Sequence, residues 1–251
     1  MPADWKTLTT LCLFFLSANE VLAGDIRPSF DCSRATTLDE KQICDDSHLA
    51  ELDQAMNLGF GQGLKAGVKK YAGIKEIEKD IRDAAKDKLA DRRACGASVI
   101  CILDVQVLAI SYFEELGSNV PVPPWVGEYR LKYARQHPEV IDGDLPKVLG
   151  HCARTKIISI TGRFGETLKW PPPKDVNGTA VRYANGANQV SYNYEEQVAR
   201  SHIGDDVLLC LSTIPKHCPP GDNRGRGYSS TKIEDHGSWI MSDSQHMCGG
   251  A

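Results

Sequence analysis

Hydrophobic residues in the first half of the chain recur at every third or fourth position, which is the pattern of helices buried on one face. Three runs with this spacing predict helices over residues 49–71, 74–89 and 102–116. The segment Thr37–Glu40 fits a capping box, in which the threonine and glutamate side chains bind free backbone amides at a helix start. It predicts a further short helix before Cys44, so we expect the first half to be a small helical domain.

In the second half the helical spacing gives way to short segments rich in β-branched and aromatic residues, which favour strands. These segments predict strands at residues 155–164, 179–183, 189–194, 207–213, 228–233 and 238–241. Short strands separated by turn residues are typical of antiparallel all-β architectures. We therefore expect a compact antiparallel sandwich or a small barrel.

The pair Asn185-Gly186 is the strongest hairpin signal in the chain, because both residues tolerate the positive φ angles of a type I′ turn. A two-residue loop at this pair places Val181 opposite Val190. On the same face we expect Tyr183, Tyr192 and Tyr194.

A proline-rich stretch, Gly117–Pro124, separates the two patterns and suits neither a helix nor an inner strand. The prediction is therefore an α+β protein with four parts. These are a signal peptide at residues 1–23, a disulfide-linked helical domain at 24–117, a linker at 118–125 and a β-rich, disulfide-bonded domain at 126–251.

The first 23 residues have the features of an export signal. Lys6 precedes the apolar stretch Leu11–Ala18, and Val21–Ala23 fits the small-residue cleavage site. A lipid anchor would need a cysteine after Gly24, where Asp25 stands. We expect a periplasmic or secreted protein that is not held at the membrane after cleavage.

Removing the signal leaves eight cysteines, an even number that indicates a disulfide framework in an exported protein. They are Cys32, Cys44, Cys95, Cys101, Cys152, Cys210, Cys218 and Cys248. The sequence holds neither a C-x-x-C pair nor an H-E-x-x-H motif, so we predict no metal site and no cofactor. The 29 basic and 33 acidic side chains nearly balance, which gives no basic footprint for nucleic acid.

Residues 24–56 hold eight acidic against three basic side chains. Carboxylates favour the positive N-termini of helices, and a negative surface also attracts a basic partner. Both interpretations fit the segment. The partner-binding candidates within it are Asp45, Asp46, Glu51 and Asp53.

The segment Cys218–Tyr228 is a second binding candidate. Its prolines and glycines predict a loop fixed by a nearby cysteine, on which Arg224, Arg226 and Tyr228 stand out. Guanidinium groups bind carboxylates through two parallel hydrogen bonds, so this loop is a candidate to enter an acidic cleft. A solvated connection between two strands explains the same composition.

No catalytic residue is predicted. Asp243, Ser244 and His246 have the residue types of a hydrolytic triad, but a triad is defined by its geometry in space. A hydrolase is therefore the minor alternative to a protein that binds and does not catalyse.

Several motifs of the first half follow one another in a set order, and so do several of the second. In the first half they are Phe30–Cys32, Thr37–Cys44, Leu49–Asp53, Arg92–Gly96 and Cys101–Leu103. Over about residues 30–116 they resemble the LprI-type lysozyme-inhibitor domain of exported bacterial proteins. The second half is similar to a module that follows such domains in some proteobacterial secreted proteins, through Tyr183–Gly186, Val190–Tyr192, Cys218–Asp222 and Cys248–Ala251.

The resemblance implies a stoichiometric inhibitor of lysozyme-type muramidases that occludes the active site and performs no chemistry. The expected partner is a lysozyme or another peptidoglycan hydrolase. The alternative is an envelope protein that binds a different cell-wall hydrolase or a host factor.

The cysteine order in the first half suggests the pairs Cys32–Cys44 and Cys95–Cys101. An antiparallel helix hairpin would instead bring Cys44 near Cys95, so the crossed pairing stays open. The second half allows three connectivities, of which we prefer Cys210–Cys218 with Cys152–Cys248.

Overall fold

The computed structural model describes residues 26–174 and 177–250, so the predicted signal peptide lies outside the described residues. Within these ranges the chain forms six α-helices and seven β-strands, which confirms the predicted mixture of helix and sheet. The helices are α1 (Leu38–Asp45), α2 (Ser47–Lys70), α3 (Ile77–Ala94), α4 (Val99–Glu115), α5 (Val126–Gln136) and α6 (Glu196–Ala199). The strands are β1 (Ile141–Asp142), β2 (Cys152–Thr161), β3 (Thr179–Tyr183), β4 (Asn188–Ser191), β5 (Asp206–Thr213), β6 (Gly227–Lys232) and β7 (Ser238–Ser242).

Helices α1 to α4 lie close to their predicted positions, and the capping box of Thr37 and Glu40 begins α1 as expected. Helix α4 is buried along most of its length and forms the centre of the helical core. It approaches α2 closely because α2 carries glycine where the two helices meet. A Cβ atom at Gly63 would lie only 3.1 Å from the Cβ atom of Phe113.

The strands of the second half form a closed barrel rather than a sandwich. Six antiparallel strands follow the order β2-β3-β4-β7-β6-β5, and β5 pairs back with β2 to close the sheet. The short strand β1 adds to β2 in parallel. Closure leaves none of the six barrel strands with an unpaired edge.

The hairpin between β3 and β4 differs from the prediction by one residue. Val181 pairs with Gln189, not with Val190. The loop is longer because the Tyr183 amide donates to the Ala187 carbonyl, and Gly186 takes a φ of +86°. Since one residue of slip reverses the face, the predicted cluster of three tyrosines is wrong: Tyr183 is buried, whereas Tyr192 is 56% exposed.

Helix α5 was not expected in a segment predicted to be β-rich, and it joins the helices to the barrel. Its Arg130 is fully buried and donates from Nε and a terminal nitrogen to one oxygen of Asp104 on α4, at 3.0 and 2.6 Å. The other Asp104 oxygen accepts from Ser212 and Ser229 of the barrel, each at 2.6 Å. The remaining terminal nitrogen of Arg130 donates to Thr231 and Ser238.

All eight predicted cysteines form disulfides. The pairs Cys32–Cys44 and Cys95–Cys101 are confirmed. The preferred pairing of the second half is wrong, because Cys152 bonds Cys210 and Cys218 bonds Cys248. Cys152 and Cys210 lie directly opposite each other where β2 and β5 close the barrel. No local sequence pattern predicts that contact.

Four disulfides suggest an oxidising location outside the cytoplasm. Among the described helices, none combines the length and the apolar character needed to cross a membrane.

Candidate functional site

The acidic segment contributes less to the surface than its composition suggests. Asp53 is only 3% exposed, and together with Asp39 it binds the buried guanidinium of Arg92. The nitrogen–oxygen distances are 2.7 Å to Asp53 and 2.9 Å to Asp39. Asp53 is thus part of a buried ion cluster that ties α1, α2 and α3 together, which corrects its expected place on a partner surface.

The other acidic candidates mostly have partners within the fold. Asp46 caps α2 by accepting from two backbone amides, and it also accepts from the Tyr129 hydroxyl. Glu51 accepts from the Trp125 indole at 3.2 Å. Asp45 is exposed at the end of α1. The interpretation of helix capping therefore accounts for Asp46.

The predicted arginine loop is held by the expected kind of link, a disulfide between Cys218 and Cys248. Arg224 is not free on this loop, because its guanidinium binds both oxygens of Asp222 at 3.0 and 2.8 Å. These hydrogen bonds hold the pKa of the Asp222 carboxyl well below its ordinary value. Arg226 is half-buried.

Tyr228 does not lie on the loop at all. It belongs to β6, whose residues are all buried, is 2% exposed and contributes to the barrel core. Burial raises the pKa of its hydroxyl. The loop accordingly offers fewer free contact groups than the sequence indicates.

A different arginine, at the turn after β2, pairs with no carboxylate of the described residues. The guanidinium of Arg163 lies between two aromatic rings, 4.3 Å from the centroid of Phe164 and 4.1 Å from that of Tyr192. Phe164 is 68% and Tyr192 56% exposed. We call these three residues the arginine–aromatic tip.

The turn that carries the tip is fixed by its own hydrogen bonds. The Gly162 amide donates to the Glu166 carbonyl at 2.7 Å, and the Gly165 amide donates back to the Gly162 carbonyl at 3.0 Å. The Phe164 amide donates to the Glu166 carboxylate at 3.0 Å. Gly165 takes a φ of +91°, which side-chain-bearing residues rarely adopt. These hydrogen bonds favour this conformation of the turn.

Tyr192 is held in place from the neighbouring hairpin. The Thr179 hydroxyl donates to the Asn193 carbonyl and accepts from the Glu195 amide, at 3.0 and 2.9 Å. These bonds fix the backbone that follows β4, so Tyr192 stays beside Arg163.

The hydrogen-bonding capacity of Arg163 is mostly unused. Its Nε donates to the Asn177 carbonyl at 3.3 Å. Among the described residues, no carboxylate lies within ion-pairing distance of Arg163, and its two terminal nitrogens have no hydrogen-bond partner. Stacked aromatic rings and a free guanidinium together provide a rigid cationic contact with apolar sides.

A second arginine–aromatic pair is formed by Arg200 and Trp170. Arg200 stacks on the Trp170 ring at 4.1 Å, and Trp170 is 43% exposed. Arg200 differs from Arg163 because it also pairs with Glu196 at 2.7 Å. The Arg200 guanidinium is therefore already paired with a carboxylate.

A cleft of about 790 Å³ between α4 and the barrel has the opposite charge character. Glu115 accepts from the Asn193 amide at 3.1 Å, and Ser191 donates to Glu195 at 3.4 Å. Burial raises the pKa of the Glu195 carboxyl, and the charge of Glu115 raises it further. Glu115, Glu128, Glu195 and Asp235 outnumber Lys88 and His236 among its lining residues, so the lining of the cleft is mainly acidic.

The residues of the minor hydrolase alternative do not form a triad-like contact. Ser244 donates its hydroxyl to the His246 backbone carbonyl at 2.7 Å, not to the imidazole ring. In the part of the chain that the structure describes, no group of three or more histidine, cysteine or acidic residues is arranged to hold a metal ion.

The sequence interpretation missed the tip because it assigned Arg163 and Phe164 to the end of a strand. A turn signal was present, since glycines at 162 and 165 flank the two residues. The stacking with Tyr192 had no sequence signal, because Arg163 follows β2 and Tyr192 follows β4, 29 positions later in the chain.

Comparisons with known proteins add no relative to this description. No protein-family model matches the chain, and no curated protein or solved structure matches it significantly.

Proposed function

We propose that this chain is an extracytoplasmic binding protein that inhibits lysozyme-type muramidases by stoichiometric occlusion of the active-site cleft. The observation that carries the proposal is the arginine–aromatic tip, a partly exposed guanidinium that stacks against two exposed rings and, among the residues that the structure describes, pairs with no carboxylate. The resemblance of residues 30–116 to LprI-type lysozyme-inhibitor domains supports the same class of partner.

The chemistry of the target explains why such a tip fits it. Glycoside hydrolases of the lysozyme type act through two carboxyl groups that flank the scissile bond in a cleft. A guanidinium offers five hydrogen-bond donors in a fixed fork, so Arg163 can bind one of these groups through two bonds. The bound carboxylate is then unavailable to the substrate.

The flanking rings supply the apolar part of the contact. Arginine and large aromatic residues dominate the binding energy of protein interfaces when they become fully desolvated. Phe164 and Tyr192 are exposed in the free protein, and they would exclude water from the arginine–carboxylate pair on binding. Because the turn is already ordered, little conformational entropy is lost when the complex forms.

The first prediction is that the purified, oxidised protein abolishes muramidase activity at a stoichiometric end point. Arg163→Ala should weaken inhibition by about 30-fold or more, since truncating one member of a buried charged pair costs at least 2 kcal/mol. Arg163→Lys should inhibit more weakly than the original protein and more strongly than Arg163→Ala, because lysine keeps the positive charge but cannot form two parallel hydrogen bonds. Residual hydrolysis of cell walls, titrated with each variant, measures the inhibition constants.

Arg182→Ala is the matched control, because Arg182 is an exposed barrel arginine outside the tip. It should inhibit like the original protein. Undiminished muramidase activity at a several-fold molar excess of the original protein would refute the proposed function.

A further inference from the structure

Helix α5 presents a row of aromatic side chains that the tip does not involve. Trp125 stands just before the helix, and Tyr129, Tyr133 and His137 follow at intervals of four residues, so the four rings lie along one face. Neighbouring ring centroids are 5.9, 6.4 and 4.1 Å apart. His48 of α2 adds a fifth ring, 4.5 Å from that of Tyr129.

The row borders a groove of about 470 Å³ between α5 and the start of α2, which we call the α5 groove. Its volume is within the range of sites that bind small organic ligands. The rings that line it are Tyr129, Tyr133, His48 and His137. Tyr129 and Tyr133 are partly buried against the helical core, so their positions are fixed by packing.

Several polar groups around the α5 groove are open to an external ligand. The side-chain amides of Gln42 and Gln136, the Lys132 ammonium and the Tyr133 hydroxyl make no hydrogen bond to any described residue. His48 and His137 turn Nδ1 towards Asp46 and Glu139, at 3.8 and 3.0 Å. Their Nε2 atoms are left for an external group.

This combination of groups matches the chemistry of a sugar. A pyranose has apolar C–H faces, which pack on aromatic rings, and a rim of hydroxyl groups, which both donate and accept hydrogen bonds. Amides, imidazoles and a phenol can serve that rim in either role. Asp46 and Lys132 oppose each other in charge, so the groove selects for neither a strong anion nor a strong cation.

We propose that the α5 groove binds a linear oligosaccharide. The rings of α5 that line the groove run from Tyr129 to His137, eight helical steps or about 12 Å, so consecutive sugar rings can lie along them. A protein outside the cytoplasm meets such glycans in cell walls. The proposal is independent of muramidase inhibition, because the α5 groove and the arginine–aromatic tip share no residue.

The test measures the binding of chitotetraose and of cellotetraose to the full, oxidised protein by calorimetry. We expect saturable binding of at least one tetrasaccharide. Tyr133→Ala and His137→Ala should each weaken it by about tenfold, the effect of one lost aromatic contact. His137 is half-exposed, so its replacement leaves the helical core intact even if Tyr133→Ala proves unstable.

Tyr194→Ala is the matched control, because Tyr194 lies beyond β4 with its hydroxyl bonded to the Lys169 carbonyl. It should bind as the original protein does. NMR signals from α5 and the Trp125 indole should shift on addition of the sugar. Absence of binding at millimolar sugar, or binding that neither α5 variant weakens, would overturn the proposal, whatever the outcome of the muramidase titration.

Discussion

Replacing Asp104 by alanine is expected to lower the free energy of unfolding by about 3–5 kcal/mol, the usual result of removing one partner from a buried ion pair. The variant leaves the Arg130 guanidinium charged and fully buried without a counter-ion. It also leaves the hydroxyls of Ser212 and Ser229 without their shared acceptor. Denaturant titration with linear extrapolation measures the loss.

Two variants separate the charge effect from a general effect of substitution. Asp45→Ala removes an exposed carboxylate and should change stability by no more than about 0.5 kcal/mol. The double variant Asp104→Leu with Arg130→Met replaces the pair by apolar side chains and should recover much of the loss. A decrease below about 1 kcal/mol for Asp104→Ala would show that water or another group compensates Arg130.

The second large effect is expected at the barrel seam. Replacing both Cys152 and Cys210 by alanine should lower stability by about 4 kcal/mol, because the bond restrains an unfolded loop with a sequence separation of 58. The bond also fixes the closing pair of strands, β2 and β5. Thermal and denaturant unfolding of this double alanine variant and of the original protein measure the difference.

The pair Cys95–Cys101 provides the matched control, since its separation is only 6. Its removal should cost about 2.4 kcal/mol on the same chain-entropy model. Both pairs include a fully buried cysteine, so the loss of packing is comparable and loop length is the main difference. Equal losses for the two double variants would contradict the explanation by loop length.

The helices could be predicted because their signals are local. The spacing of apolar residues located α2, α3 and α4, and the capping box located the start of α1. Helix α5 escaped this reasoning because one of its most buried side chains is Arg130, which a hydrophobicity pattern counts as exposed. Only the Asp104 carboxylate and barrel hydroxyls make that burial acceptable.

For the candidate sites, too, local sequence signals were not enough and tertiary contacts decided the outcome. The sequence indicated Arg224 as a contact residue, yet its guanidinium already binds the carboxylate of Asp222. It passed over Arg163, whose aromatic neighbours come from the turn after β2 and from the end of β4. Residue type identified arginine as useful, while the surroundings decided which arginine is free.

The β3–β4 hairpin shows that a difference of one loop residue is enough to make a predicted register wrong. The sequence located β3, β4 and the turn, but the loop contains one residue more than a type I′ turn requires. That single residue places Gln189 inside the barrel, where it accepts from the Trp239 indole at 3.0 Å. Turn residues alone did not fix the register, because the buried hydrogen bonds of Gln189 also contribute.

By itself the sequence determined helices α1 to α4, the strand segments and the even set of cysteines, because these signals lie in the residue types and their local spacing. It suggested the pairs Cys32–Cys44 and Cys95–Cys101 but left the crossed pairing open. The tertiary structure decided barrel closure, the Cys152–Cys210 and Cys218–Cys248 bonds, the Asp104–Arg130 network and the free guanidinium of Arg163. These features join segments that are distant in sequence. Their free energy comes from desolvation and pairing in space, which no single stretch of residues encodes.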